Sequence, residues 1–294
     1  MKRTCSRKEI DMRMNRRSFI KRTLGSLLAL FGLSGGTYYY ARYMEPDMLT
    51  VQEETIQNPK IPDSFQNFKI VQFSDTHVGF HYNLEQLEKV VDQINGLEPD
   101  LILFTGDLVD KPNAYEWDGR IVEVLKKLQA PNGKFWIYGN HDHGGYGTDV
   151  VKKKMDQSGF KLLKNENTAI KKGQDSFILA GVDDIMLGKP DMDKTLEGVY
   201  EREFVLLMVH EPDYADHAAA YPVDVQLSGH SHGGQIQIPF IGYLVTPPHA
   251  EKYVEGRHTV GGLELYVSRG LGTTRLPYRF LCKPEITLHT LTNS

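Results

Sequence analysis

The chain has 294 residues, enough for one large folded domain once a basic N-terminal segment is set aside. Hydrophobic residues at 40% and charged residues at 24% match ordinary globular composition and argue against a disordered or polytopic membrane chain. Residues 1–22 carry nine Lys/Arg and two Asp/Glu, net +7, so the total of −4 leaves about −11 on the remainder. An acidic body without basic runs disfavours nucleic-acid binding, which needs Lys and Arg to displace phosphate counterions. With only Cys5 and Cys282 there is no disulfide framework.

At the N-terminus, Asn15-Arg16-Arg17-Ser18-Phe19-Ile20-Lys21 precedes a mildly apolar stretch from Leu24 to Gly36. This resembles a twin-arginine export signal. The resemblance implies the twin-arginine translocase as a partner, passage across the membrane in a folded state, and a place in the cell wall or on the outer face of the cytoplasmic membrane. A second reading stays open, in which the segment is retained as an anchor and the arginines are its positive-inside flank. Tyr38, Tyr39, Tyr40 and Tyr43 would suit a membrane interface in that case. The apolar stretch is shorter than the ~20 residues a spanning helix needs. Met1 and Met14 are both candidate starts. Residues 1–44 are accordingly read as signal or anchor, 45–66 with Pro46, Pro59 and Pro62 as a tether, and 67–294 as the domain.

Within the domain, Lys69–Ser74 predicts a strand, and Asn83–Asn95 a helix with apolar Leu84, Leu87, Val90, Val91 and Ile94 at helical spacing. A strand over 100–105, a helix over 119–128, a strand over 134–138 and a helix over 148–158 continue the β-α alternation. Strands are then expected near 160–164, 167–172, 175–182, 203–209, 223–228, 235–238, 264–268 and 284–291, with one helix near 212–219. So many strands exceed one sheet, and two sheets packed face to face with helices outside would accommodate them. The fold class is α/β.

Polar residues cluster where the apolar runs stop: Asp75 and His77, Asp107, Asn140 and His141, His210, and His230 and His232. Sites in α/β sheets form beyond the carboxyl ends of strands, so five segments are expected to converge on one edge. Asp-x-His and His-x-His put two ligands on the same side of extended backbone. Glycines at 79, 106, 139, 229, 233 and 234 flank these positions, as a crowded metal site requires.

The ordered blocks SDTHVG, GDLVD, GNHD, VHEP and GHSHGGQ resemble the signature of calcineurin-like metallophosphoesterases, over about residues 69–238. The resemblance implies a four-layer αββα sandwich and two divalent metal ions. It places Asp75, His77 and His232 on the first, Asn140, His210 and His230 on the second, and Asp107 between them, with a bridging hydroxide as nucleophile. It also makes His141 the group that stabilises the phosphoryl group or protonates the leaving oxygen, with Asp110 as its carboxylate partner. The mixed imidazole, carboxylate and amide set favours manganese, with zinc or iron as alternatives.

Asp142 is read either as a supporting carboxylate or as a loop cap. His81, His143, His217, His249, His258 and His289 match no block and are expected to be structural or surface residues, His143 being the one that could reach substrate. Among Arg269, Arg275 and Arg279, in a segment resembling the tail of one bacterial subgroup, Arg269 is the preferred phosphate-binding candidate. Leu276, Pro277, Tyr278 and Phe280 form either an apolar lip or core. Family members that act on phosphoproteins carry an Arg just after the position of Asp110, where this chain has Lys111. The expectation is therefore a phosphodiesterase acting on an envelope lipid or polymer. A UDP-2,3-diacylglucosamine-type pyrophosphate hydrolase and a non-catalytic metal-dependent phosphate-binding module are kept as alternatives.

Overall fold

A computed structural model describes residues 16–143 and 147–294. The chain divides into two compact units, Met1–Tyr40 and Ala41–Ser294. In the first, the described residues form helix α1 (Arg16–Tyr39), which includes the Arg16-Arg17 pair; Asn15 and Met14 lie outside the described residues. Among the described residues no helix is long and apolar enough to cross a membrane.

The second unit begins with β1 (Thr50–Gln57) and β2 (Lys69–Phe73), followed by α2 (Leu84–Gly96) and β3 (Leu101–Phe104). Then come α3 (Arg120–Lys126), β4 (Lys134–Trp136), α4 (Asn140–His143), α5 (Thr148–Gln157) and β5 (Phe160–Leu162). These five strands and β14 (Glu285–Thr292) make a six-stranded sheet in the order β1-β14-β2-β3-β4-β5. The intervening strands are β6 (Glu166–Lys172), β7 (Asp175–Gly181), β8 (Val205–Met208) and β9 (Val225–Ser228), then β10 (Gln237–Ile238), β11 (Gly242–Tyr243), β12 (Gly256–Val260) and β13 (Leu263–Val267). The second sheet runs β12-β13-β9-β8-β7-β6, and β10 and β11 form a small antiparallel pair apart from it.

Alternation along the strands divides the interior into three cores, because successive side chains leave a strand on opposite faces. Ile102 and Phe104 of β3 face the helices α2, α3 and α5, while Leu101 and Leu103 face the other sheet. In β8, Leu206 and Met208 meet that middle core, and Val205 and Leu207 turn outward. There they meet Met192 of α6 (Met192–Thr195) and Ala215 and Ala218 of α7 (Ala215–Ala218). Helices, sheet, sheet and helices give the expected four-layer αββα architecture. The middle core has a polar link: Gln72 Nε2 donates to Thr105 Oγ1 at 3.2 Å and, across the sheet interface, to the Ser228 carbonyl at 3.0 Å. His289 lies fully buried behind it, 3.0 Å from Gln72 Oε1, and burial pushes its pKa down to about 3.

The expected tether over 45–66 needs correction. Residues 50–57 are β1, paired in parallel with β14 along its full length, and Ile56, Ile61 and Phe65 are buried in the middle core. The sequence TVQEETIQ concealed this because an edge strand needs few inward apolar residues, and here only Ile56 is fully buried.

Candidate metal centre

Strands β2, β3 and β4 are parallel neighbours, as are β8 and β9, so their carboxyl ends lie at corresponding edges of the two sheets. Asp75 and His77 follow β2, Asp107 follows β3, Asn140 opens α4 after β4, His210 follows β8, and His230 and His232 follow β9. Asp75, His77 and His232 offer ligand atoms within 4.8 Å of one another, and so do Asp107, His210 and His230. Asp107 connects the two groups: its Oδ2 is 3.5 Å from His77 Nε2 and 3.3 Å from His210 Nε2, one histidine from each.

The donor set fits metal ions on three observations. His77 Nε2 and His232 Nε2 face each other at 3.0 Å, with Asp75 Oδ1 4.0 and 3.5 Å away, so nitrogen lone pairs and a carboxylate converge. Asn140 Oδ1 is buried with no hydrogen-bond partner, as expected of an amide oxygen kept for a cation. The backbone is also shaped around these groups. A Cβ on Gly139 would lie 2.3 Å from Asp107 Oδ1, and one on Gly229 would lie 2.3 Å from Asp75 Oδ2.

Asp75, His77, Asp107, His230 and His232 all adopt left-handed backbone angles, with φ from 44° to 67°. Each such residue costs on the order of 1–3 kcal/mol, a strain that persists where surrounding structure over-determines it. Here that structure is explicit. The Asp75 amide donates to the Gly106 carbonyl and the His77 amide to the Asp107 carbonyl, while the His230 amide donates to the Asp75 carboxylate.

Asp142, ambiguous in sequence, organises the loops. Its Oδ2 accepts from the amides of Asp107 (2.8 Å) and Gly139 (3.0 Å), and its Oδ1 from Leu108 (3.1 Å). Burial and then the charge of Asp107 push its pKa up to about 7, against those three donors. Burial likewise raises Asp75. For Asp107 burial opposes ionisation, but His210, His141 and His77 outweigh it and hold the carboxyl well below its usual range. Burial pushes His230 down to about 3 and also lowers His232, leaving both as neutral imidazoles of the kind that ligate metals.

His141 lies beside this cluster on the cavity wall and retains some solvent exposure. Its pairing with Asp110 differs from the expectation: His141 Nδ1 lies 2.7 Å from the Asp110 main-chain carbonyl and 3.6 Å from its carboxylate. That carboxylate also stands 3.5 Å from His77 Nδ1, so it lies between the two rings. Burial opposes protonation of His141, but Asp107 and Asp110 raise its pKa overall.

The cluster forms the base of a cavity of about 260 Å³. Its wall includes Met186, Ile236, Leu244, Val245, Pro247, Pro248 and Leu276, together with Arg275. Arg269, the candidate preferred from sequence, is not on this wall; its Nε lies 2.5 Å from Glu285 Oε2 and its stem covers Gly233. Arg279 is fully buried and donates to the carbonyls of Arg269, Gly270, Gly272 and Cys282, which fixes the loop behind Asp75. Leu276 therefore belongs to the lip. His143 bonds Asp183 at 2.8 Å, tying α4 to the loop that carries Met186. His81, His217, His249, His258 and His289 join none of the ligand groups.

A profile of the calcineurin-like phosphoesterases matches residues 68–234. The chain is 50% identical to the metallophosphoesterase YkuE of Bacillus subtilis over 280 residues, covering 95% of this chain and 98% of that protein. It is 27% identical to the phosphodiesterase YaeI of Escherichia coli, covering 94% and 98% of the two chains. It is also 27% identical to the UDP-2,3-diacylglucosamine pyrophosphatase LpxG of Chlamydia trachomatis, covering 86% and 92%.

Proposed function

We propose, from the premise that this chain belongs to the calcineurin-like phosphoesterase family and is a metal-dependent phosphoric ester hydrolase, that its substrate is an envelope-associated phosphodiester. The observation that carries this reading is the charge of the cavity lining, where Arg275 is the one Lys or Arg among the described residues. Metal ions at the base would meet the phosphoryl group of either ester; beyond them the lining offers one fixed cation, which suits the single negative charge of a diester better than the nearly double charge of a monoester at neutral pH. The apolar wall from Leu244 to Pro248 and Leu276 would accept a nonpolar substituent on that ester.

Asp75, His77 and His232 would hold one divalent ion and Asn140, His210 and His230 the other, with Asp107 shared; manganese is the proposed metal, zinc or iron the alternatives. Such ions supply a water of lowered pKa and polarise phosphoryl oxygens. The protein's own contribution centres on His141. With Nδ1 engaged by the Asp110 carbonyl, Nε2 is the atom left to serve the cavity, and its raised pKa keeps a proton there for the leaving oxygen. Asp142 fixes the backbone of Asp107 and Gly139, so the shared carboxylate and the loop bearing His141 move as one piece.

The resemblance to LpxG supports a second reading, hydrolysis of a UDP-2,3-diacylglucosamine-type pyrophosphate. Its difficulty is place, since that substrate arises on the cytoplasmic side and the proposed location of this chain is outside. Hydrolysis of bis-p-nitrophenyl phosphate and p-nitrophenyl phosphate by the Mn²⁺-loaded chain tests the class. Faster diester turnover is expected, and a preference for the monoester would overturn it. For location, Arg16→Lys with Arg17→Lys should trap the precursor inside the cell, and unchanged export would favour the plain anchor.

A further inference from the structure

Beside the cavity the surface carries an apolar lip that extends from the cavity wall out to side chains that do not line the cavity. Phe240 is fully exposed, Ile241 and Val245 are 69% and 68% exposed, and Leu244, Leu276 and Leu281 are about half exposed. Phe240 and Ile241 occupy the turn between β10 and β11 and do not line the cavity, so substrate packing does not account for them. Phe240 sits at φ 68°, an uncommon conformation for a bulky residue, which marks the turn as a special backbone feature.

The sequence around the lip is depleted of charge. From Gly233 to Ala250 there is no Asp, Glu, Lys or Arg, in a chain that is 24% charged. From Gly270 to Cys282 the charges are Arg275 and Arg279, and Arg279 is buried. Arg275 is therefore the exposed charge of the lip, on a body whose residues beyond 22 sum to about −11.

The lip also packs against the first residues of the second unit. Ile236 pairs with Phe280 in a short bridge, the Arg279 amide donates to the Ala41 carbonyl at 3.0 Å, and Glu45 accepts from the amides of Leu281 and Cys282.

We propose that this lip seats on the surface of a bilayer containing anionic lipids, with Phe240 and Ile241 entering the acyl boundary and Arg275 meeting headgroup phosphate. Exposed apolar side chains with a cation among them match the boundary between headgroups and acyl chains. A second copy of the chain fits less well, because a two-fold pairing of the patch would set each Arg275 against its equivalent, while the neighbouring acids are already engaged, Glu45 by the amides of Leu281 and Cys282 and Glu255 by Gln237. Docking in this way would bring the metal centre down to phosphoesters in the membrane plane. That consequence rests on the proposed envelope substrate; the docking itself does not.

The test uses the full chain and vesicles of phosphatidylglycerol and phosphatidylethanolamine in equal parts. In a Phe240→Trp variant, vesicles should shift the added emission to the blue, and lipids brominated high on their acyl chains should quench it. A Tyr200→Trp control, on the loop entering the opposite end of β8, should respond to neither. Phe240→Asp with Ile241→Asp should weaken vesicle co-sedimentation at least tenfold and leave hydrolysis of bis-p-nitrophenyl phosphate without vesicles unchanged. If the Phe240→Trp emission is unmoved while the chain still co-sediments, docking belongs to the N-terminal segment and the proposal is overturned. Self-association that the double variant abolishes, without lipid quenching, would likewise overturn it in favour of a second copy. Because docking is read without turnover, quenching with no hydrolysis would sink the substrate reading alone.

Discussion

The base of the cavity and its lip are built on opposite principles. The base consists of buried carboxylates and imidazoles at the ends of parallel strands, and Asp75, His77, Asp107, His230 and His232 are held in left-handed backbone by amide hydrogen bonds and close glycines. The lip consists of two-residue strands and turns, with side chains that face water. A rigid base suits chemistry that needs atoms placed to within about 0.5 Å, whereas a lip of short loops can differ between relatives at little cost to the fold. Placement of the reacting groups thus belongs to the base, and the lip is the part left free to vary.

Breaking the base should have the larger effects. Asp107→Ala removes the carboxylate shared by both ligand groups, and we expect loss of bound metal together with at least a ~1000-fold loss of turnover; metal analysis showing full occupancy would contradict its shared position. His141→Ala should retain both metals yet lose roughly 10²–10⁴ in kcat, the usual contribution of general acid catalysis, and a metal-free protein would make this histidine a ligand instead. Asp142→Asn sets an amide NH2 against backbone donors that now meet a carboxylate oxygen. Metal affinity should fall about 10–100-fold, measured by competition with a chelator, although this side chain touches no metal. At the lip, Arg275→Ala should raise KM for an anionic diester only a few-fold with kcat almost unchanged. A drop in kcat equal to that of His141→Ala would erase the distinction between base and lip.

The base was legible in sequence because each ligand follows an apolar strand run and each block brings its own glycines, so local pattern and chemistry coincide. The lip was legible only in part: a strand near 235–238 was expected and β10 occupies Gln237–Ile238, and Leu276 was one of the lip-or-core residues, but Gly242–Tyr243 is too short to show any period. Arg269 and Arg275 illustrate the same limit. They lie six positions apart in one loop-rich segment, and only the fold reveals that Glu285 holds the first while the second reaches the cavity. Gln72 was hidden differently: KIVQFS reads as a plain strand, and its inward amide acquires meaning from Ser228 on the other sheet. Strand β1 escaped notice because a sheet edge asks little of its residues, and the helix near 212–219 proved to be a 3-10 turn over Pro212–Tyr214 running into α7.

Strand β14 lies between β1 and β2, where Thr287 pairs with Gln72 and Thr50 with Glu285, partners about two hundred positions apart. Such pairing raises the contact order, and the first sheet cannot close before the chain has been made through β14. Until β14 arrives, β2 presents an open edge and β1 has no neighbour, a state open to edge-to-edge aggregation. A chain cut short before Glu285 would lack the strand that joins β1 to the rest of the sheet. Closure of the first sheet therefore waits on one strand, β14, on which β1 depends for its pairing and β2 for one of its edges.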